Sequence, residues 1–522
     1  MKKLLLIFIL SVLNSEIIAA QYTFDWMHDA SEYNKTAIMM ATDNSNNVIV
    51  TGHWMHSDIY TRKYASNGTF LWEVSNSSGI ASNYQKPIWS NCDSSGNIYV
   101  VGKRYTISLS SEYADAIVAL KYSPSGTLLW KRNLPVTPST VGTSPSFTLR
   151  SEVDADGNLY IGTSQLTPSG LTLIKLSPTG STLFQTSNNS NSGYGFGTMR
   201  LKNGKIYMTG SSDTVHGTPL VVWDTLGNLI FSAGFVHVNN INPSFLTGFG
   251  EDLEVDDTGN IYILGRTNHS TSVATNNIDI LVQKVSPTGT LLWQQNYDFD
   301  GNDYPRRFAL GGNRLSIISY SYGFEPNWRT QQIDTNGVQL WNTVYNAVSS
   351  VDEIPFYVTT NSLGEPIVIG KGGPTASASM ATVQMVILKY NNSGVQQWIS
   401  TPNIYGGSGV YCKIANDDSL FAISEHNMSV YHYNLTTLSN QEEVSQKTQF
   451  VPNPFLDKIT FQIDENEANT SASIYDISGK LLLEKNINSS NNELDLSNLS
   501  SGIYFCKLNS NGNQKTIKLI KK

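Results

Sequence analysis

The stretches that decide the architecture are DSSGNIYVVG (Asp93 to Gly102) followed by DAIVALKYSPSGTLLW (Asp115 to Trp130), and their near copy DDTGNIYILG (Asp256 to Gly265) followed by DILVQKVSPTGTLLW (Asp279 to Trp293). A third copy runs DADGNLYIG (Asp154 to Gly162) and LTLIKLSPTGSTLF (Leu171 to Phe184), and weaker ones start at Asp43, Lys202, Gly312, Asn361 and Asn416. Each copy reads as four strands. Strand A runs into the Asp of DxxGN, as in LRSEVD (Leu149 to Asp154). The DxxGN segment is a tight turn, in which Asp accepts backbone hydrogen bonds and Gly or Asn takes positive φ. Strand B is the IYVVG run, and strand C is a near-continuous apolar run such as AIVALKY, as expected of a strand buried on both faces. A Ser-Pro-x-Gly turn, with Pro pre-setting φ, leads to strand D, TLLW, whose Trp packs at the periphery.

Counting the copies settles how they assemble. The closing aromatic of the unit falls at Trp72, Trp130, Phe184, Phe231, Trp293, Trp341 and Trp398. An eighth stands before all of them, in YTFDW (Tyr22 to Trp26), whereas the copy at Asn416 has no closing Gly-x-x-x-Trp of its own. The spacing averages 53 residues from Trp26 to Trp398. An open row of sheets would leave a bare edge at each end. Here the first strand complements the last unit, so the row closes into a ring. Repeats of this length with four strands predict a β-propeller of eight blades, or of seven if the degenerate units near Lys202 or Gly312 merge.

The composition agrees with an all-β exported chain. Of 522 residues only 15% are charged, with 40 Gly and 11% aromatics, which suits neither long solvated helices nor disorder. Net charge is −8, divided as +1 over residues 1–20, −9 over 21–447 and 0 over 448–522. No segment carries the basic excess of a nucleic-acid binder. Residues 1–20 read as a signal peptide, with Lys2 and Lys3 ahead of an apolar Leu4 to Leu13 and cleavage after Ala20. That run is too short for a hydrocarbon core of about 30 Å, and no later window reaches transmembrane length. The three cysteines, Cys92, Cys412 and Cys506, form no disulfide framework and no zinc spacing, and are expected as buried thiols.

The domain reading is then a signal peptide (1–20), a propeller (21–439), a polar linker (440–447) and a C-terminal domain (448–522). In the last segment the repeat disappears. Short alternating strands in VPNPFLDKITFQI, SIYDISGKLLLE, LDLSNLSSGIYFCKL and KTIKLIKK predict a small β-sandwich of immunoglobulin-like kind.

Two resemblances follow from these residues. The LKYSPSGTLLW unit is similar in spacing to the Gly-x-x-x-Trp packing motif of quinoprotein-type propellers, which implies no quinone here, and the whole unit resembles bacterial SBBP-type β-propeller repeats. Pro452-Asn453-Pro454, Asp476 and Gly479 in DISGK, Gly502 and Tyr504 in SGIY, and Lys518 in the basic end resemble the type A C-terminal sorting domain of the type IX secretion system of Bacteroidota. That resemblance implies passage across the outer membrane, partnership with the secretion machinery, and removal of the domain in the linker by a surface sortase. The product would be secreted or held on the outer-membrane surface.

Motifs for chemistry are sparse. No GxSxG elbow, HExxH, Walker loop or dinucleotide glycine pattern occurs. B–C and D–A connections vary in length, among them Lys103 to Tyr113 and Lys131 to Pro145, while A–B and C–D turns are short. In a four-stranded blade the variable sets share one face, where repeat proteins bind. Candidate ligand contacts are His53, Trp54 and His56 in one such loop, with Tyr105, Arg266, Arg306, Tyr320 and Tyr405. Tyr194, Phe196, Arg307 and Tyr322 belong to the same set. The His pair lacks a third metal ligand. No cofactor is expected; calcium at DFDGND (Asp298 to Asp303) is the alternative to an inter-blade turn, since it lacks the EF-hand Glu. The expected function is a secreted or surface-displayed protein that binds a glycan or protein without catalysis. The alternative is an enzyme on extracellular polysaccharide or peptide, with polar residues at the channel.

Overall fold

The computed structural model describes residues 21–28, 35–54, 58–80, 83–108, 111–136, 148–164, 170–188, 195–212, 217–236, 248–268, 278–299, 301–322, 327–346, 353–372, 384–402, 407–436, 449–451, 455–462, 470–476, 480–488, 492–510 and 513–522. The chain divides into two compact units, Met1–Thr437 and Leu438–Lys522. No helix of the described residues is long and apolar enough to cross a membrane.

In the first unit the described strands fall into eight antiparallel groups of four. Seven follow chain order, A to D: residues 35–76, 83–135, 150–188, 195–235, 248–297, 302–345 and 354–400. The units near Lys202 and Gly312 each build four strands of their own. The fourth and fifth groups are also joined by two residue pairs, Ser211 with Phe249 and Ser212 with Gly248. The eighth group is composite. It takes Gly409–Ile414, Leu420–Ser424 and Val430–Thr436 as A, B and C, and Gln21–His28 as D. Tyr22 pairs with Leu435 and Trp26 with His432, as the orphan YTFDW segment predicts. The A strands lie innermost, each against the A strand of the next group, and Lys35–Thr42 against Gly409–Ile414 completes the circle. The Ala37 amide donates to the Glu425 carbonyl at 3.1 Å across that seam.

The turns behave as their chemistry requires. In DSSGN, Asp93 Oδ1 accepts from the Ser95 and Asn97 amides and Oδ2 from the Asn97 side chain, while Gly96 sits at φ 77°. The closing aromatic of each group docks on the turn glycine of the following one, so that a Cβ at Gly126 would come 2.8 Å from the Trp72 ring. The same pairing joins Trp26 to Gly68, Trp130 to Gly180, Phe231 to Gly289 and Trp341 to Gly394. Indole N–H groups fasten the contact: Trp72 Nε1 donates to the Pro124 carbonyl at 3.0 Å and Trp130 Nε1 to that of Pro178 at 2.9 Å. Trp398 faces the composite group, which has no such turn. It meets the Tyr22 and Tyr433 rings at 5.5 and 5.2 Å instead.

Some expectations are revised. Lys103 to Ser108 and Ser111 to Tyr113 are strand and not loop: Ile98–Ser108 pairs with Ser111–Tyr122, held by a two-armed bond from Arg104 to Asp115 at 2.8 and 2.9 Å. Lys131 to Pro135 likewise continue a strand. Cys412 and Cys506 are buried free thiols as expected, but Cys92 is only half-buried.

The second unit has a three-stranded sheet (Gln449–Val451, Lys458–Gln462, Glu493–Asp495) and a four-stranded sheet (Leu481–Ile487, Thr470–Tyr475, Gly502–Ser510, Asn513–Lys521). Both feed one core containing Ile459, Phe461, Ile474, Leu494, Cys506 and Leu519.

Candidate functional site at the channel

The A strands point alternate residues into the channel. Counting back from the turn residue (Asp43, Asp93, Asp154, Lys202, Asp256, Gly311, Asn361 and Ala415), the fourth residue is Met39, Trp89, Arg150, Thr198, Asp252, Arg307, Tyr357 and Tyr411. The second is Ala41, Asn91, Glu152, Arg200, Glu254, Ala309, Thr359 and Lys413. A register shift recurs just ahead of this tier, at Ala37/Met39, Pro87/Trp89, Phe196/Thr198, Gly250/Asp252, Pro305/Arg307, Pro355/Tyr357 and Gly409/Tyr411. Such bulges re-aim a side chain. Here they place Ile38, Ile88, Phe356 and Val410 around a partly open cavity of about 220 Å³. Trp89, Arg150, Thr198, Arg307, Tyr357 and Tyr411 also line it. It lies toward the end where the D–A connections enter.

Below it, charges interlock. Asp252, whose side chain is 1% exposed, takes Nη2 of Arg200 at 3.1 Å and stands 3.8 Å from Arg150 and 3.9 Å from Arg307. Glu254 takes Arg200 at 2.8 Å, and Glu152 lies 3.7 Å from Arg150. Burial opposes the Arg200 charge, but the pull of Glu254 and Asp252 outweighs it and holds that guanidinium above its ordinary value. Burial and the like charge of Arg200 lower Arg150. Burial raises the Glu152 carboxyl against the opposing pull of Arg150 and Arg200. It also lowers Lys413 and raises both tyrosines, so Tyr357 and Tyr411 stay neutral donors at physiological pH.

The aromatics form one wall. Arg150 stacks over Trp89 at 4.0 Å, Trp89 meets Tyr411 edge-on at 6.4 Å, and Tyr411 lies 4.1 Å from Tyr357, whose hydroxyl donates to that of Tyr411 at 3.3 Å. Such a wall suits a ring or a cation.

The residues singled out by sequence are mostly dispersed. Trp54 is exposed and His53 half-buried at the end of Val48–Trp54, and His56 and Tyr405 lie outside the described residues. Tyr105 stacks at 4.8 Å on Tyr84, its partner on the neighbouring strand Asn83–Cys92 of the same sheet. Arg266 covers Phe249 and lies 3.3 Å from Glu251. Arg306 and Tyr320 do come together, 4.8 Å apart, and Arg306 also stands 5.6 Å from Phe356 of the cavity. Both belong to strands and not to loops, and Phe196 is buried. Of that set Arg307 alone reaches the cavity itself among the described residues. A partial signal is in the sequence: charged residues in LRSEVD and EDLEVD interrupt strands whose neighbours are apolar and mark Arg150, Glu152, Asp252 and Glu254, but nothing comparable marks Trp89, Tyr357 or Tyr411.

Near DFDGND, carboxylate oxygens of Asp279, Asp298 and Asp303 approach within 4.8 Å of one another. Asp303 Oδ2 accepts the Phe299 amide at 2.9 Å, which is turn chemistry. In the second unit the Lys480 amide donates to Asp476 Oδ1 at 3.0 Å, and the Tyr504 hydroxyl donates to the Ser500 carbonyl at 2.7 Å. Gly502 pairs with Lys521 and Phe505 with Lys518. Pro452, Asn453, Pro454 and Gly479 lie outside the described residues.

A closed set of radial four-stranded sheets is a β-propeller. Residues 449–522 match the secretion system C-terminal sorting domain, which implies export by the type IX secretion system to the cell surface or beyond. No curated protein matches the chain. Among solved structures, the WD40 domain of SCAP from fission yeast is similar over 78% of this chain and 98% of its own, at 10% identity and TM-score 0.44. YCF48 from Cyanidioschyzon merolae is similar over 79% and 99%, at 9% identity and TM-score 0.40. The β-propeller domain of the Trilobed protease from Pyrococcus furiosus is similar over 67% and 93%, at 9% identity and TM-score 0.38. The propeller assignment rests on the chain's own sheets and not on these likenesses.

Proposed function

We propose that this chain is an eight-bladed, SBBP-type propeller of a Bacteroidota cell, exported by its immunoglobulin-like sorting domain, that binds a glycan or protein end-group at the channel mouth without catalysis. The observation that carries the binding reading is the state of the channel carboxylates. Asp252 and Glu254 are engaged by arginines at 3.1 and 2.8 Å. A carboxylate whose oxygens are committed to guanidinium contacts is poorly placed to attack a substrate. The wall of Trp89, Tyr357 and Tyr411 beside the cavity is the kind of surface that dominates recognition energy. Candidates nearer the rim are Arg306 and Tyr320; His53, Trp54, Tyr105 and Arg266 stand apart from them.

The second reading, a hydrolase or lyase, is favoured by one observation, the raised Glu152 carboxyl. A glycan and peptide array paired with a turnover screen separates the two. Binding is expected for the wild type and a loss of at least tenfold for Trp89→Ala. Turnover abolished by Glu152→Gln would replace binding with catalysis.

A further inference from the structure

We propose that the channel mouth recognises a single carboxylate carried on a compact ring or apolar body; this rests on the binding reading and names its ligand chemistry. Arg150 and Arg307 are the ionic groups among the cavity's described lining residues. Arg150 is 8% exposed; its Nε makes no hydrogen bond among the described residues but stands 3.7 Å from Glu152, and Nη1 donates to Thr198 Oγ1 at 2.8 Å. Arg307 gives Nη1 to the Glu251 carbonyl at 3.4 Å, and its side chain is 32% exposed. The partly exposed Arg307 guanidinium has N–H groups to spare at the cavity, and a carboxylate is the natural acceptor for a guanidinium.

Charge sets the valence. Arg150, Arg200 and Arg307 all stand within 4 Å of Asp252, Arg200 also takes Glu254, and Lys413 lies near Glu152, so four cationic side chains face three carboxylates. One positive charge is left over, at the cavity. That suits a carboxylate better than a phosphate ester carrying roughly −1.5 to −2. Size sets the body: about 220 Å³ is below the usual range for a drug-sized ligand, so one ring or one terminal residue fits. Ile38, Ile88, Phe356 and Val410 would cover that body while Trp89 stacks against it.

The test is calorimetric titration of the full chain with phenylacetate and galacturonate, each against its neutral amide, and with inorganic phosphate. At least one acid is expected to bind tenfold or more tighter than its own amide, and the preferred acid distinguishes an aromatic from a sugar source. Arg307→Gln, at a half-exposed position, is expected to abolish the preference without changing the melting temperature. Arg150→Gln is read only where circular dichroism shows the fold intact, and there it should do the same. Equal binding of acid and amide, no binding of either, tighter binding of phosphate, or a preference that survives Arg307→Gln overturns the proposal. A neutral ligand that binds and is lost in Trp89→Ala would overturn the carboxylate while leaving the binding reading standing.

Discussion

Lys103 shows how single residues set limits on this molecule. It is 9% exposed, and burial, with Lys86 adding like charge, brings its ammonium down to about 8. Its unfolded value is 10.5. Between about pH 8 and 10 the unfolded chain therefore binds more protons than the native one, and stability rises with pH. Urea midpoints across that window are expected to climb in the wild type and to climb less in Lys103→Met. Gly126 makes a different demand. Its φ is 86° and a Cβ would meet the Trp72 ring at 2.8 Å. Gly126→Ala is expected to cost about 2 kcal/mol or more in chemical denaturation, from left-handed strain and lost docking together.

At the scale of the element, Gln21–His28 is the piece on which closure depends. It supplies the outer strand of the last sheet, with Tyr22 buried and its hydroxyl donating to the Asp418 carbonyl at 3.1 Å. Asp25 Oδ2 stands 2.9 Å from His432 Nδ1. Deleting 21–28 strips Val430–Thr436 of its outer partner and bares a sheet edge. A stability loss above about 4 kcal/mol is expected, the level of a major core truncation, together with self-association by light scattering. Both should be relieved by the peptide QYTFDWMH added in trans. This strand was legible in the sequence because the missing Trp of the last unit and the surplus Trp26 were both countable. The channel was not. Trp89, Arg150, Arg307 and Tyr411 come from four strands far apart in the sequence, and for Trp89, Arg307 and Tyr411 a one-residue bulge decides which side chains face inward. Tyr105 misled for the opposite reason: a polar stretch rich in Ser and Tyr reads as a loop, whereas Arg104 and Asp115 stitch it into a hairpin.

For the whole molecule the two units carry separate tasks. The first has its own core clusters and a closed set of sheets, and the second has one small core of its own. Removing residues 449–522 is expected to leave the thermal transition of the remainder unchanged while the protein stays behind the outer membrane, as followed by fractionation. Its four ordered motifs made the second unit readable from sequence, whereas the ligand of the first depends on a cavity that no contiguous segment encodes.

The partnership of residue 22 with residue 435 also imposes a timetable. A polypeptide emerging amino end first displays Phe24 and Trp26 long before their mates have been made. For most of biosynthesis that leading segment has no strand to pair with. Maturation cannot finish piecemeal. It completes in one late event, when the trailing hairpin arrives to receive what was made first, so an exporter that accepts only finished cargo would in effect be checking that the message was translated at least that far.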